Sequence, residues 1–106
     1  MSNIEIDPDI IYHTHSKIRN RFSGCGKLIE DTITEIISGK TKIEDLPIIT
    51  VEYDGKNYYS LNNRRLYVIK HCKKIGLIKT ILVRIKKVNP NKYTNTYSLV
   101  GKLVYN

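Results

Sequence analysis

The chain has 106 residues, of which 41% are hydrophobic and 26% are charged, proportions that are typical of one folded domain. They exclude an intrinsically disordered chain, which combines few apolar residues with a high net charge. The net charge of +8 favours a polyanionic partner, although a small lysine-rich protein can carry such a charge for solubility alone.

The two cysteines, Cys25 and Cys72, form no zinc motif with the histidines, and we expect no metal site. An isolated pair of cysteines and an N-terminal stretch without a charged and apolar leader predict an intracellular protein of the cytoplasm or nucleus. The apolar runs are too short to cross a bilayer, so no membrane partner is expected.

The first third of the chain predicts a strand followed by an amphipathic helix. An apolar run favours a strand near residues 9–13, and two apolar residues four positions apart favour a turn of helix at 18–22. Over residues 27–38, apolar side chains recur at steps of three and four, which places them on one face of a helix. Acidic residues near its start and Gly39 after its end are typical of helix termini.

The middle of the chain predicts a β-hairpin that runs directly into a second helix. Strands at 48–53 and 57–61 flank Asp54-Gly55, a dipeptide typical of a hairpin turn. Residues 64–74 then have helical spacing, with an asparagine available as N-cap and a glycine at the far end. The side chains that we expect to be buried are Ile33, Ile36, Ile49 and Cys72.

The last part of the chain predicts strands, at 81–85 and again from residue 97 to 105. The order of elements predicts an α/β (α+β) fold in which two main helices pack on a small mixed sheet. We expect one domain over residues 1–106, with a core at about 10–88 and a C-terminal extension at 89–106.

The junction of the hairpin and the second helix is the candidate binding site, and it reads Asn62-Asn63-Arg64-Arg65. Free backbone N–H groups and the positive end of the helix dipole converge there. Arginine adds a planar, permanent charge that suits phosphate oxygens, and asparagine tolerates positive φ at a sharp turn. Alternatively, the asparagines only cap the helix, while the arginines are solvated or pair with Glu30, Glu35 or Glu44. The residues alone leave both interpretations open.

The run from Asp54-Gly55 through Tyr58-Tyr59-Ser60-Leu61 to Arg64-Arg65-Leu66 resembles the ParB/sulfiredoxin-like domain. In that family the second hairpin strand ends in a Gly-Glu-Arg-Arg or Gly-Cys-His-Arg box that binds nucleotide phosphates. The resemblance covers about residues 10–88 and places the box on residues 62–65. It implies phosphate binding by Asn62, Asn63, Arg64 and Arg65, and it suggests a nucleotide with Mg²⁺ as the cofactor.

Two departures from the family limit the activity that the resemblance implies. Asn62 replaces the usual glycine, and Asn63 stands where sulfiredoxins have the reactive cysteine and ParB-like proteins have glutamate. We therefore expect no sulfiredoxin activity, and phosphate binding rather than hydrolysis. Residues 22–27 imitate the sulfiredoxin box around Cys25, but they precede the first helix. We expect Cys25 to be a small buried residue.

A second basic cluster precedes the first helix, and the resemblance implies that it faces the box across a cleft. Its candidate phosphate ligands are Ser16, Lys17, Arg21, Gly24 and Gly26, with the two glycines as an anion nest at the helix start. His15 is the candidate acid or base of a reaction in the same cleft.

The sequence thus predicts a ParB-like module that binds a nucleotide or a nucleic acid, DNA included. The alternative is a small enzyme that uses the same pocket as a nucleotide hydrolase, phosphotransferase or nuclease. A third possibility is an interaction protein with a basic surface and no pocket. A homo-oligomer is compatible with each of them.

Overall fold

The computed structural model describes residues 2–94 and 96–105, which form two α-helices, two short 3-10 helices and two sheets. The helices are α1 (Ile29–Ile37) and α2 (Asn63–Lys74). The strands are β1 (Ser2–Ile6), β2 (Ile11–His13), β3 (Lys17–Arg19), β4 (Ile49–Tyr53), β5 (Tyr58–Ser60), β6 (Ile81–Lys87) and β7 (Lys102–Val104). The predicted mixed α+β architecture is confirmed. No helix of the described residues is long and apolar enough to cross a bilayer.

The larger sheet is mixed, with the strand order β1-β6-β4-β5-β2. β4 lies parallel to β6 and antiparallel to β5, while β2 lies parallel to β5 and β1 antiparallel to β6. β3 and β7 form a separate parallel pair. The exit of β5, the start of α2 and the loop after β2 therefore meet at one end of the sheet.

The apolar face of α1 packs into the core as its spacing predicts. Ile33 and Ile36 are each 7% exposed, Ile49 of β4 is 1% exposed and Cys72 of α2 is fully buried, so all four burial predictions are confirmed. These side chains belong to one cluster that joins both helices to the sheet.

The predicted hairpin turn and the end of α2 are also confirmed. The carboxylate of Asp54 accepts hydrogen bonds from the backbone N–H groups of Lys56 and Asn57 at 2.9 and 2.7 Å. Gly55 and Gly76 have φ values of 95° and 86°, which L side chains rarely adopt. The hairpin therefore delivers the chain directly to the first turn of α2.

Three expectations about the two ends of the chain were wrong or incomplete. Residues 17–19 form strand β3 rather than part of a helical turn, because β7 pairs with them from the other end of the sequence. Strand structure does not begin at residue 97; Ser98 makes an isolated bridge to His13, and the strand starts at Lys102. The N-terminal β1 was not predicted.

Candidate anion-binding cleft

A cleft of about 380 Å³ opens where the hairpin meets α2. Residues 61–65 form one wall and residues 15–22 supply the other. Its lining consists of His15, Lys17, Ile18, Arg19, Phe22, Leu61, Asn62, Asn63, Arg64 and Arg65. Four of these side chains are lysine or arginine, and none is acidic. The structure thus brings two basic segments that are far apart in sequence into one concave site.

Asn62 occupies the N-cap position of α2, but its side chain does not cap the helix. Its amide oxygen accepts instead from the backbone N–H of Thr50 at 2.9 Å, and its own N–H donates to the hydroxyl of Ser60 at 2.9 Å. Its φ is −130°, so the positive φ considered for this turn is not adopted. The first turn of α2 therefore presents N–H groups without a side-chain cap at the edge of the cleft.

Asn63 ties α2 to the loop that carries His15. Its side-chain amide donates to the hydroxyl of Thr14 at 2.7 Å, and its carbonyl oxygen accepts from the N–H of Thr14 at 3.0 Å. These two bonds hold the loop after β2 against the helix start. Asn63 therefore positions one wall of the cleft against the other.

The two adjacent arginines have different roles. Arg65 donates through Nη1 to the carbonyl oxygens of Pro47 at 2.7 Å and Ile48 at 3.2 Å, and burial lowers the pKa of Arg65. Arg64 is half-buried, and its guanidinium makes no hydrogen bond or ion pair with any described residue. Arg64 is therefore the arginine whose donors can turn to a ligand.

Two of the three carboxylates considered as partners of these arginines are bound elsewhere, and Glu44 forms no ion pair with either arginine in the described part of the chain. Glu35 pairs with Lys27, and Glu30 accepts a hydrogen bond from the hydroxyl of Tyr105. Within residues 2–94 and 96–105, the salt bridges involve lysines and no arginine. The positive charge of the cleft is thus not neutralised by these acids.

The opposite wall is built on β3. Ile18 is 2% exposed, whereas Lys17 and Arg19 on either side of it are exposed, as expected for the alternating faces of a strand. Leu103 of β7 lies opposite Ile18 in the strand pair. The C-terminal strand therefore holds β3 in the conformation that presents two cations to the cleft.

Several predicted ligands lie outside the lining of this cleft. Ser16 lies beside a neighbouring depression, and its carbonyl accepts from the N–H of Lys102 at 2.7 Å. Arg21 donates to the carbonyl of Gly26 at 2.9 Å and closes an exposed turn that also contains Gly24. Because α1 begins only at Ile29, this turn is not at the helix start.

The burial expected for Cys25 was wrong, since its side chain is exposed. The turn that carries it is closed by its own backbone bonds, from Gly26 to Phe22 and from Phe22 to Lys27, both at 2.9 Å. These bonds close the turn and leave Cys25 at its surface. Cys25 does not line the cleft that Arg64 lines.

Sequence reasoning did not single out the apolar part of the lining, formed by Ile18, Phe22 and Leu61. The alternation Lys17-Ile18-Arg19 is the signal that would have indicated a strand with both cations on one face. Among the described residues, no group of three His, Cys, Asp or Glu side chains is placed to hold a metal ion.

Comparisons with models of known protein families, with curated proteins and with solved structures found no match to this chain. The ParB/sulfiredoxin-like resemblance therefore stays a prediction drawn from residues 54–66 and the order of the elements.

Proposed function

We propose that this protein binds a phosphate-bearing ligand, a nucleotide or a nucleic acid, in the cleft between β3 and α2. The observation that carries the proposal is the lining itself, in which four basic side chains and an uncapped helix start surround one concavity without a carboxylate. Such a site concentrates positive potential where phosphate oxygens can accept hydrogen bonds.

The side chains divide between ligand contact and positioning. Arg64, Lys17 and Arg19 supply donors to the phosphate, because they have no acidic partner among the described residues. Asn62 and Asn63 fix the turn and the opposing loop through their bonds to Thr50 and Thr14. Because these bonds already fix the two walls of the cleft, less conformational entropy is lost when the ligand binds.

The resemblance to ParB-like domains supports the same ligand class and an intracellular setting. A nucleotide bound here would bring Mg²⁺ with it. We do not propose the sulfiredoxin reaction, because Asn63 occupies the position of the reactive cysteine and cannot act as a thiolate.

Replacing Arg64 with alanine should weaken binding about 10- to 150-fold, since a hydrogen bond to a charged group contributes about 1.5–3 kcal/mol. Isothermal titration with the four ribonucleoside triphosphates and a short oligothymidylate, with and without magnesium, measures the loss. Lys40→Ala removes the same charge from an exposed position and should bind as the parent does.

The neighbouring Arg65→Ala variant separates binding from folding. It removes two donations to backbone carbonyls, so it should lower the free energy of unfolding by about 1–2 kcal/mol, whereas Arg64→Ala should leave it nearly unchanged. A folded Arg64→Ala protein that binds every probe as tightly as the parent does would refute the assignment.

The enzyme alternative is supported by one observation: His15 lines the same cleft as Arg64. An imidazole there can accept a proton from a water that attacks phosphorus, and the cations can stabilise the displaced phosphate. Hydrolysis of a bound nucleotide that His15→Ala abolishes, with binding retained, would favour the enzyme. Saturable binding without turnover favours the binding module.

A further inference from the structure

One face of α2 carries basic and aromatic side chains beyond the cleft. They are Arg64, Tyr67, Lys70, His71 and Lys74, which follow each other at steps of three residues apart from the adjacent pair Lys70 and His71. At a rise of 1.5 Å per residue, the stripe is about 15 Å long. The charge of the first cleft therefore continues along the whole helix.

A second cleft of about 480 Å³ lies beside the C-terminal part of this stripe. Tyr67, Lys70 and Lys74 form one side, and residues 99–101 form the other. The ammonium of Lys70 donates to the carbonyl of Leu99 at 2.6 Å. Burial lowers the pKa of Lys70 to about 8, although the negative charges of Asp9 and Asp7 act to raise it. The charged form therefore predominates at neutral pH.

The acids near this cleft are bound to another lysine. Asp9 lines the cleft, and it pairs together with Asp7 with the ammonium of Lys73 at 2.5 and 2.6 Å. Within the described ranges, Lys70 and Lys74 form no salt bridge. Lys70 and Lys74 therefore keep their charges for an anion, while the two carboxylates more than balance Lys73 and leave one negative charge beside the cleft.

The second cleft also has an unsatisfied polar group in its wall. His13 is 1% exposed, and neither of its ring nitrogens has a hydrogen-bond partner among the described residues. A buried polar group without a partner costs free energy, so such groups normally find one. His13 and Gly101 line the cleft together, so a ligand bound there has an unpaired imidazole beside it.

We infer that the ligand is a single-stranded nucleic acid that runs from the first cleft along α2 into the second. The inference rests on the proposed function and names the ligand of the same site. A mononucleotide would occupy only the first cleft, whereas a stripe of about 15 Å matches about four nucleotides of a strand stacked at the 3.4 Å spacing of a duplex. Half-buried Tyr67, between Arg64 and Lys70, offers a surface for base stacking, which is how proteins hold unpaired strands.

Oligothymidylates of increasing length, from thymidine monophosphate to about eight nucleotides, test this inference by fluorescence anisotropy. Affinity should rise until the strand covers both clefts and then level off. Lys70→Ala/Lys74→Ala should weaken the longest strand at least about tenfold and leave thymidine monophosphate unchanged. The slope of log affinity against log salt should fall by about 1.4 for two lost phosphate contacts.

Lys74→Ala alone is the control for a change in the fold, because Lys74 has no described side-chain partner. This variant should lower the slope of log affinity against log salt by about 0.7. Lys40→Ala/Lys56→Ala removes two exposed lysines elsewhere and should behave as the parent does. If affinity does not depend on length, or if a duplex binds more tightly than the single strand, the inference is wrong. Arg64-dependent binding of the monophosphate would then still uphold the first cleft.

Discussion

Replacing Ile33 with alanine is expected to lower the free energy of unfolding by about 2–5 kcal/mol, the range for removing a buried isoleucine side chain. Ile33 is 7% exposed and lies in the cluster that joins α1 to the sheet and α2. The lost side chain leaves a cavity that surrounding groups only partly fill. Urea unfolding followed by circular dichroism measures the change, with an unchanged slope showing that the same surface unfolds.

Ile37, one turn further along α1, provides the matched control. It is 53% exposed, so Ile37→Ala should change the free energy of unfolding by no more than about 0.5 kcal/mol. Equal losses at both positions would mean that α1 does not bury the face described here.

Local patterns predicted the central elements because each of them is encoded in neighbouring residues. The three- and four-residue spacing identified α1 to within two residues at its start and one at its end, and the Asp54-Gly55 turn located β4 and β5. The Asn-Asn-Arg-Arg run likewise marked the start of α2 and one wall of the cleft.

Features that depend on distant segments were not predictable in this way. Glu52 is 1% exposed in the middle of β4, where its neighbour Val51 is also buried. Residues from the C-terminal part cover it: Lys92 pairs with its carboxylate at 2.8 Å, Tyr93 donates a hydrogen bond to it, and the Tyr93 ring stacks on Tyr59 at 4.2 Å. Strand periodicity cannot show that a loop forty residues later covers an acid.

The pKa of Glu52 shows how its buried carboxylate is compensated. Burial alone would raise the pKa, but the bonds from Lys92 and Tyr93 and the charges of Lys92 and Lys86 outweigh it and keep the pKa below its usual value. The carboxylate therefore stays ionised inside the fold, and it holds the C-terminal segment against the sheet.

Only part of the candidate site could be predicted, because contacts with distant segments decide what its residues do. Adjacent arginines look alike in a sequence, yet Arg65 is bound to carbonyls of the segment before β4 while Arg64 is not. Which of two neighbours serves the fold is decided by the register of α2 against a chain segment about seventeen residues earlier. Lys17 and Arg19 depend in turn on β7, which no local pattern connects to them.

The protein is expected to lose stability on acidification before its carboxylates titrate, because of His13. Its pKa is lowered from 6.5 to about 4, first by burial and then by the positive charge of Lys70. Unfolding exposes the imidazole and restores its ordinary pKa, so the unfolded chain binds the extra proton between these two values. The stability that depends on the neutral form of His13 is therefore fully present above the unfolded pKa of 6.5, and it is lost as the pH is lowered towards 4.

The loss attributable to this group should be about 2 kcal/mol between pH 7 and pH 5 and reach about 3 kcal/mol near pH 4, at 1.36 kcal/mol for each pKa unit. Urea unfolding at a series of pH values measures it. His13→Leu should flatten the dependence between pH 7 and pH 5, whatever its effect on stability at pH 7. His15→Gln, which removes an exposed imidazole two residues away, should retain the slope of the parent. A parent protein equally stable at both pH values would show that the imidazole of His13 is not buried beside Gly101 as described here.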